Sequence, residues 1–260
     1  SNAHRNLGHV LKELKKYEEA IFHFNLVKDA TSTSLLLECL YMNKNQSLFD
    51  SRLKSMVGKD DMNIRVAALS AFVAHQTKQN DPYRFCPNPL DFILIENLDK
   101  YESDSAYLIN SIIKEADGFD LVWESRTTKF GFQGPNDLFE NSSDVVSNLQ
   151  LIIQKAVASY HLKFNSESCI FIKSWPKNYR LQGWYNRLLK NGFQTAHIHP
   201  SGWLSGVIYL KTISHPSDDE GAIEFSLHGY DLPIVDENYP RKLHNPESGD
   251  IVLFPSSLFH

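Results

Sequence analysis

HIHPSGWLSGVIYL at 197–210 and GDIVLFPSSLFH at 249–260 decide the reading of this chain. Each joins histidine to a short apolar run of β character. Side chains on an extended strand alternate between its two faces, so His197 and His199 project to the same side. Imidazole is a ligand for first-row transition metals. A third histidine from a distant strand, His260, then closes one face of a coordination sphere and leaves the other positions open. The pattern predicts a metal site.

The remaining histidines carry less. His9, His23, His75 and His161 fall on helical stretches, and His215, His228 and His244 fall near turns, where surface positions are expected. A Pro adjoins each half of the candidate site, Pro200 directly after the pair and Pro255 before the last histidine.

Working outward, the chain divides into two segments. Residues 1–80 read as helical: in HRNLGHVLKELKKYEEAIFHFN the apolar positions Leu7, Val10, Leu11, Leu14, Tyr17, Ile21 and Phe24 recur at three- and four-residue steps. Leu7-Gly8, Ala20 and Phe24 resemble one tetratricopeptide repeat, with small residues where two helices approach and a large one filling the gap. Further helices are predicted at 34–42, 46–56 and 64–77. A lone repeat cannot bury its own face. Either more repeats lie upstream or these helices pack on the C-terminal segment. Ser1-Asn2-Ala3 reads as a cloning scar, so native residues are expected upstream.

Three prolines between Pro82 and Pro89 break the helical pattern. Within 81–260, FILIENL reads as a strand and 104–116 and 144–160 as helices. Thereafter SCIFIKSW, LQGWYNRLL, QTAHIHP, WLSGVIYLK, GAIEFSL and GDIVLFP read as six extended runs, the pattern of an antiparallel barrel or sandwich. The expected class is α+β.

Composition excludes several functions. Hydrophobic residues make up 42% and aromatic residues 12%, enough for a substantial core. The net charge of −5 is spread without a basic stripe, which disfavours nucleic-acid binding. No apolar run reaches the length of a membrane span. Cys39, Cys86 and Cys169 are widely spaced and read as free thiols in a reducing compartment, which predicts a cytoplasmic protein. There is no phosphate-binding glycine loop and no G-x-S-x-G nucleophile elbow.

The motif H-x-H-P-x(4)-SGV-x-YL, followed by GD-x(2)-LFPS-x(3)-H, resembles the iron(II)- and 2-oxoglutarate-dependent oxygenases. It is most similar to a bacterial group in which tetratricopeptide-like helices precede the oxygenase domain. WYNRLLKNGFQTAHIH and TKFGFQG (128–134) fit the same group. The resemblance implies a double-stranded β-helix (jelly roll) with flanking helices, holding Fe(II) and taking 2-oxoglutarate and molecular oxygen as cosubstrates. It matches His197 to the first ligand and His260 to the distal one.

His199 stands where that family carries Asp or Glu. A set of three imidazoles would be more positive by one charge. The alternative is that His199 points elsewhere and an acidic residue such as Glu224 completes the sphere. The resemblance also gives Tyr209 a hydrogen bond to the 2-oxoglutarate carboxylate, with a wall aromatic as its other reading, and places Asn186 and Trp184 near the same pocket. The family's basic cosubstrate anchor lies beyond the distal histidine, so further residues are expected after His260. The implied reaction is hydroxylation of a small molecule, or of a protein bound by the helical segment. A cupin-like metal protein that does not use 2-oxoglutarate and a partner-binding scaffold are the rival readings.

Overall fold

Short polar side chains start the helices. Asp29, Asn45 and Asn63 each accept a hydrogen bond from a backbone N–H three residues on, satisfying a donor that the first helical turn leaves unpaired. In the computed structural model, which describes residues 2–124, 127–134, 137–140, 143–213 and 220–260, the helices they open are α3 (Ala30–Met42), α4 (Gln46–Met56) and α5 (Ile64–Thr77). Before them come α1 (Asn2–Glu13) and α2 (Tyr17–Asn25). Gly8 of α1 faces the ring of Phe24 in α2, and a Cβ there would lie 2.7 Å from it. This is the small-against-large contact the sequence predicts.

Helices α3 and α5 are buried on nearly every side. Leu35, Leu36, Leu37, Cys39 and Leu40 on α3, and Val66 to Leu69 with Ala71 to Ala74 on α5, are all in the interior. Such helices need neighbours on more than one face. One apolar core supplies them, continuing from Leu37 and Phe72 through Phe85 and Phe171 to Phe225, Val252 and Phe254. The helical segment therefore packs on the rest of the chain.

After the proline-rich break come β1 (Leu94–Asn97), α6 (Ser105–Ala116), β2 (Val122–Glu124), β3 (Thr128–Gln133) and α7 (Asp144–Phe164). The chain then forms α8 (Ile170–Lys173), β4 (Asn186–Gln194), β5 (Leu204–Ile208), β6 (Ile223–Ser226), β7 (Arg241–His244) and β8 (Asp250–Pro255). Two of the expected extended runs are corrected. SCIFIKSW holds the single helical turn α8, because Phe171 and Ile172 both enter the core and the Phe171 carbonyl accepts from Trp203 Nε1 at 3.1 Å. QTAHIHP leaves the sheet after Gln194. A short apolar run does not distinguish strand from helix by periodicity.

The strands form three small antiparallel sheets, ordered β1-β8-β5, β2-β3-β4 and β6-β7. Among the described residues hydrogen bonding does not join them into one closed barrel. β8 is buried along its whole length and pairs on both edges, Leu253 lying opposite Leu94 and Gly206. Such a strand reads as a continuous apolar run. Gly206 is required by close approach, since a Cβ there would meet the Leu253 side chain at 2.6 Å and the Val252 carbonyl at 3.0 Å.

The other histidines are mostly accounted for by packing. His228 is half-buried against Phe72 and bonds the Leu232 carbonyl at 2.8 Å, and His244 contacts the Asp250 carboxylate at 2.9 Å, so neither is a simple surface residue. His215 lies outside the described residues. All three cysteines are free, Cys39 and Cys86 buried and Cys169 half-buried. No helix among the described residues is long and apolar enough to cross a membrane.

Gly206→Ala should destabilise the protein by about 1–3 kcal/mol, the usual cost of overpacking. Urea unfolding would measure this, and wild-type stability in the variant would show that the β5–β8 spacing is not tight.

Candidate metal centre

The segment after β4 is held by the end of the chain. The backbone N–H of His197 donates to the His260 carbonyl at 3.1 Å, and that of His260 donates back to His197 at 3.3 Å. His199 N–H donates to the Ser256 carbonyl at 3.1 Å. A reciprocal pair of this kind sets two residues directly opposite each other across an antiparallel pairing. Alternation then turns His197 and His199 to one face and Ile198 to the other. Ile198 is buried in a small cluster with Phe259 and Ala68 of α5.

The three imidazoles converge. Ring centroids are separated by 4.5 Å for His197 and His260, 5.0 Å for His197 and His199, and 5.1 Å for His199 and His260. One ring nitrogen from each lies within 4.8 Å of the other two. His197 Nδ1 is 2.9 Å from the Thr195 carbonyl, and His260 Nδ1 is 3.1 Å from the Leu258 carbonyl. A carbonyl oxygen only accepts, so both Nδ1 atoms carry the proton and both Nε2 lone pairs are free to bind a cation. Phe254 packs on His260 at 4.5 Å and Trp184 on His199 at 5.7 Å, measured between ring centroids.

Burial governs the protonation of this cluster. Desolvation holds all three below the ordinary histidine range, and each charged imidazole would repel the next. His199 falls to about 4 and His260 to about 3, with His197 also lowered. At neutral pH the three are uncharged, the form that coordinates metals. An ion held by imidazoles at about 2.0–2.1 Å needs ligand atoms within about 4 Å of one another, so side-chain adjustments of about an ångström close the set. The donor chemistry fits a divalent transition metal.

No carboxylate joins the cluster among the described residues. Glu224 is exposed on β6. Trp184 reaches the site through its ring, whereas Asn186 is exposed at the start of β4. Tyr209 comes directly after β5 at the Asp250 end of the ladder, with its backbone N–H on the Asp250 carbonyl at 3.0 Å. It lies five residues beyond Leu204, the first residue of β5, about 17 Å of extended chain. Burial and the neighbouring Asp250 push its phenol above the usual range. Ala68 and Tyr230 also border the site and were not expected from the sequence. The turn-like run HGYDLP at 228–233 is the local signal for the second.

Residues 182–260 match the family described as "Putative 2OG-Fe(II) oxygenase". That span holds all three histidines. No curated protein matches the chain, and no solved structure matches it.

The lowered values set a pH signature. Between the unfolded histidine value near 6.5 and the folded values of about 4 and about 3, the unfolded chain binds more protons than the folded one. Stability of the metal-free protein should therefore fall as pH drops through that window. Urea midpoints across it should flatten when His199 and His260 are replaced by Gln. An equally steep profile in the double variant would assign the effect to other groups.

Proposed function

We propose that the C-terminal region is an iron(II)- and 2-oxoglutarate-dependent oxygenase in which His197, His199 and His260 hold the metal. The observation that carries this reading is the convergence of three neutral imidazole nitrogens inside the stretch that matches the oxygenase family. In this reading residues 81–260 form the oxygenase domain on a double-stranded β-helix plan, and 1–80 form a helical accessory segment. The free thiols agree with a cytoplasmic setting.

When bound, iron(II) with 2-oxoglutarate supplies oxygen activation, releasing succinate and CO₂ as a substrate C–H bond is hydroxylated. The chain's part is to orient and to exclude water. The Thr195 and Leu258 carbonyls fix the tautomer and aim of His197 and His260. The Phe254 and Trp184 rings wall the histidines. His199 in place of a carboxylate leaves the ligand set uncharged, so an anionic cosubstrate would offset the metal's charge. Tyr209 and Asn186 take cosubstrate roles on the strength of the family resemblance alone. A cavity of about 280 Å³ lies between the start of α3, the start of α5 and Pro200, and none of the three histidines lines it.

The all-imidazole set also favours a second reading, a cupin-like metal protein that does not use 2-oxoglutarate. Anaerobic titration of the Fe(II)-loaded protein with 2-oxoglutarate separates the two. A saturable visible charge-transfer band that is lost in His197→Ala supports the oxygenase; bound metal without such a band supports the cupin-like site. His199→Asp should retain or tighten Fe(II) binding while weakening 2-oxoglutarate, because the added negative charge opposes the dianion. Tighter 2-oxoglutarate binding in that variant would contradict the charge argument.

A further inference from the structure

We infer that the helical segment forms part of the metal centre's support, with Tyr230 and Arg65 as positioning residues for the ligand-bearing stretch 197–199. The inference rests on the reading of His197, His199 and His260 as metal ligands.

Ile198 sits between two of those ligands, and the groups that hold it come from elsewhere. Its side chain packs on Ala68 of α5 and on Phe259, the residue before His260. Its backbone N–H points at Tyr230 Oη at 3.4 Å, a long hydrogen bond. The Tyr230 ring stands edge-on to Phe259 at 5.1 Å between centroids. One aromatic side chain thus touches both arms of the site, the stretch carrying His197 and His199 and the stretch carrying His260.

Tyr230 is itself held under tension. Its φ is +54°, and that of Asp231 is also +54°. Left-handed backbone is unfavourable for a residue with a side chain, and it persists where surrounding structure enforces it. At the neighbouring Gly229 a Cβ would lie 2.1 Å from the Phe259 ring, so the turn that carries Tyr230 packs directly against Phe259.

The other face of Tyr230 meets the helical segment. The Arg65 guanidinium of α5 lies over its ring, 5.1 Å from the centroid. Arg65 is fixed by Glu38 of α3 at 2.7 Å, and Glu38 is also paired with Lys12 of α1 at 3.0 Å. Glu38 is 2% exposed, so its charge depends on these two partners. The line Lys12–Glu38–Arg65–Tyr230–Ile198 runs through three helices to the backbone between two ligands. Farther along α5, Gln76 accepts from the Val235 and Asp236 N–H groups at 2.5 and 2.8 Å, which docks the loop beyond Tyr230 on the same helix.

Co(II) titration of the full chain, read by visible d–d absorption, tests this without turnover. Tyr230→Phe should weaken Co(II) binding by about tenfold, the lower end of losses seen when groups that orient ligands are removed, and should shift the band. Its melting temperature should stay close to wild type. Arg65→Met should weaken Co(II) binding similarly but also lower the melting temperature, because it leaves buried Glu38 with Lys12 alone, and Arg65→Lys should restore part of both. Glu38→Gln is less informative, because stranding Arg65 and Lys12 threatens folding. Wild-type affinity and spectrum in both Tyr230→Phe and Arg65→Met, with binding lost in His197→Ala, would overturn this inference and leave the metal site standing. Wild-type protein that takes up no Co(II) would overturn both.

Discussion

Two backbone hydrogen bonds, exchanged between His197 and His260, hold together everything the site depends on. They join the stretch after β4 to the stretch after β8, and neither stretch is within a strand at that point. Because the pairing is reciprocal it fixes register, and a slip of one residue would turn His197 and His199 away and bring Ile198 in. The neighbouring bond from His199 to Ser256 makes such a slip costlier. Burial of Ile198 beneath α5 opposes it from the other face.

The same burial that fixes the register sets the chemistry. Three imidazoles taken out of water next to one another cannot all be protonated, and the lowered values of His199 and His260 express that constraint. A carboxylate in place of one of them would bring its own negative charge and need its own partners. With imidazole alone, the cluster stays neutral until a cation enters. A neutral cluster of this kind has the donor chemistry for a divalent metal at neutral pH and brings no negative charge of its own.

Much of this was legible in the sequence, and the limits follow from physics. His-x-His with a distant third histidine marked the site because alternation is a local property of extended backbone, and the structure brings those three together. The helices were legible from their apolar period. SCIFIKSW misled because a run of four apolar-rich residues satisfies either period; only the core contacts of Phe171 decide for a helical turn. β2 and β7 escaped notice as strands because their described side chains are largely exposed, and β3 because a register shift between Lys129 and Gly131 breaks its alternation. Whether the helices stood apart or packed on the rest could not be read from either segment alone. The answer lies in pairs such as Ala68 with Ile198 and Arg65 with Tyr230, which are distant in sequence and carry no shared motif.

The central claim is that three imidazoles, and no carboxylate, supply the protein's metal ligands. X-ray absorption spectroscopy of the Fe(II)-loaded protein without cosubstrate tests it most directly, since imidazole rings give a multiple-scattering pattern that carboxylates do not. Three imidazoles per iron, falling to two in His199→Ala, is the predicted result. Two imidazoles in the wild-type protein, unchanged by His199→Ala, would contradict the claim and return the third position to an acidic residue.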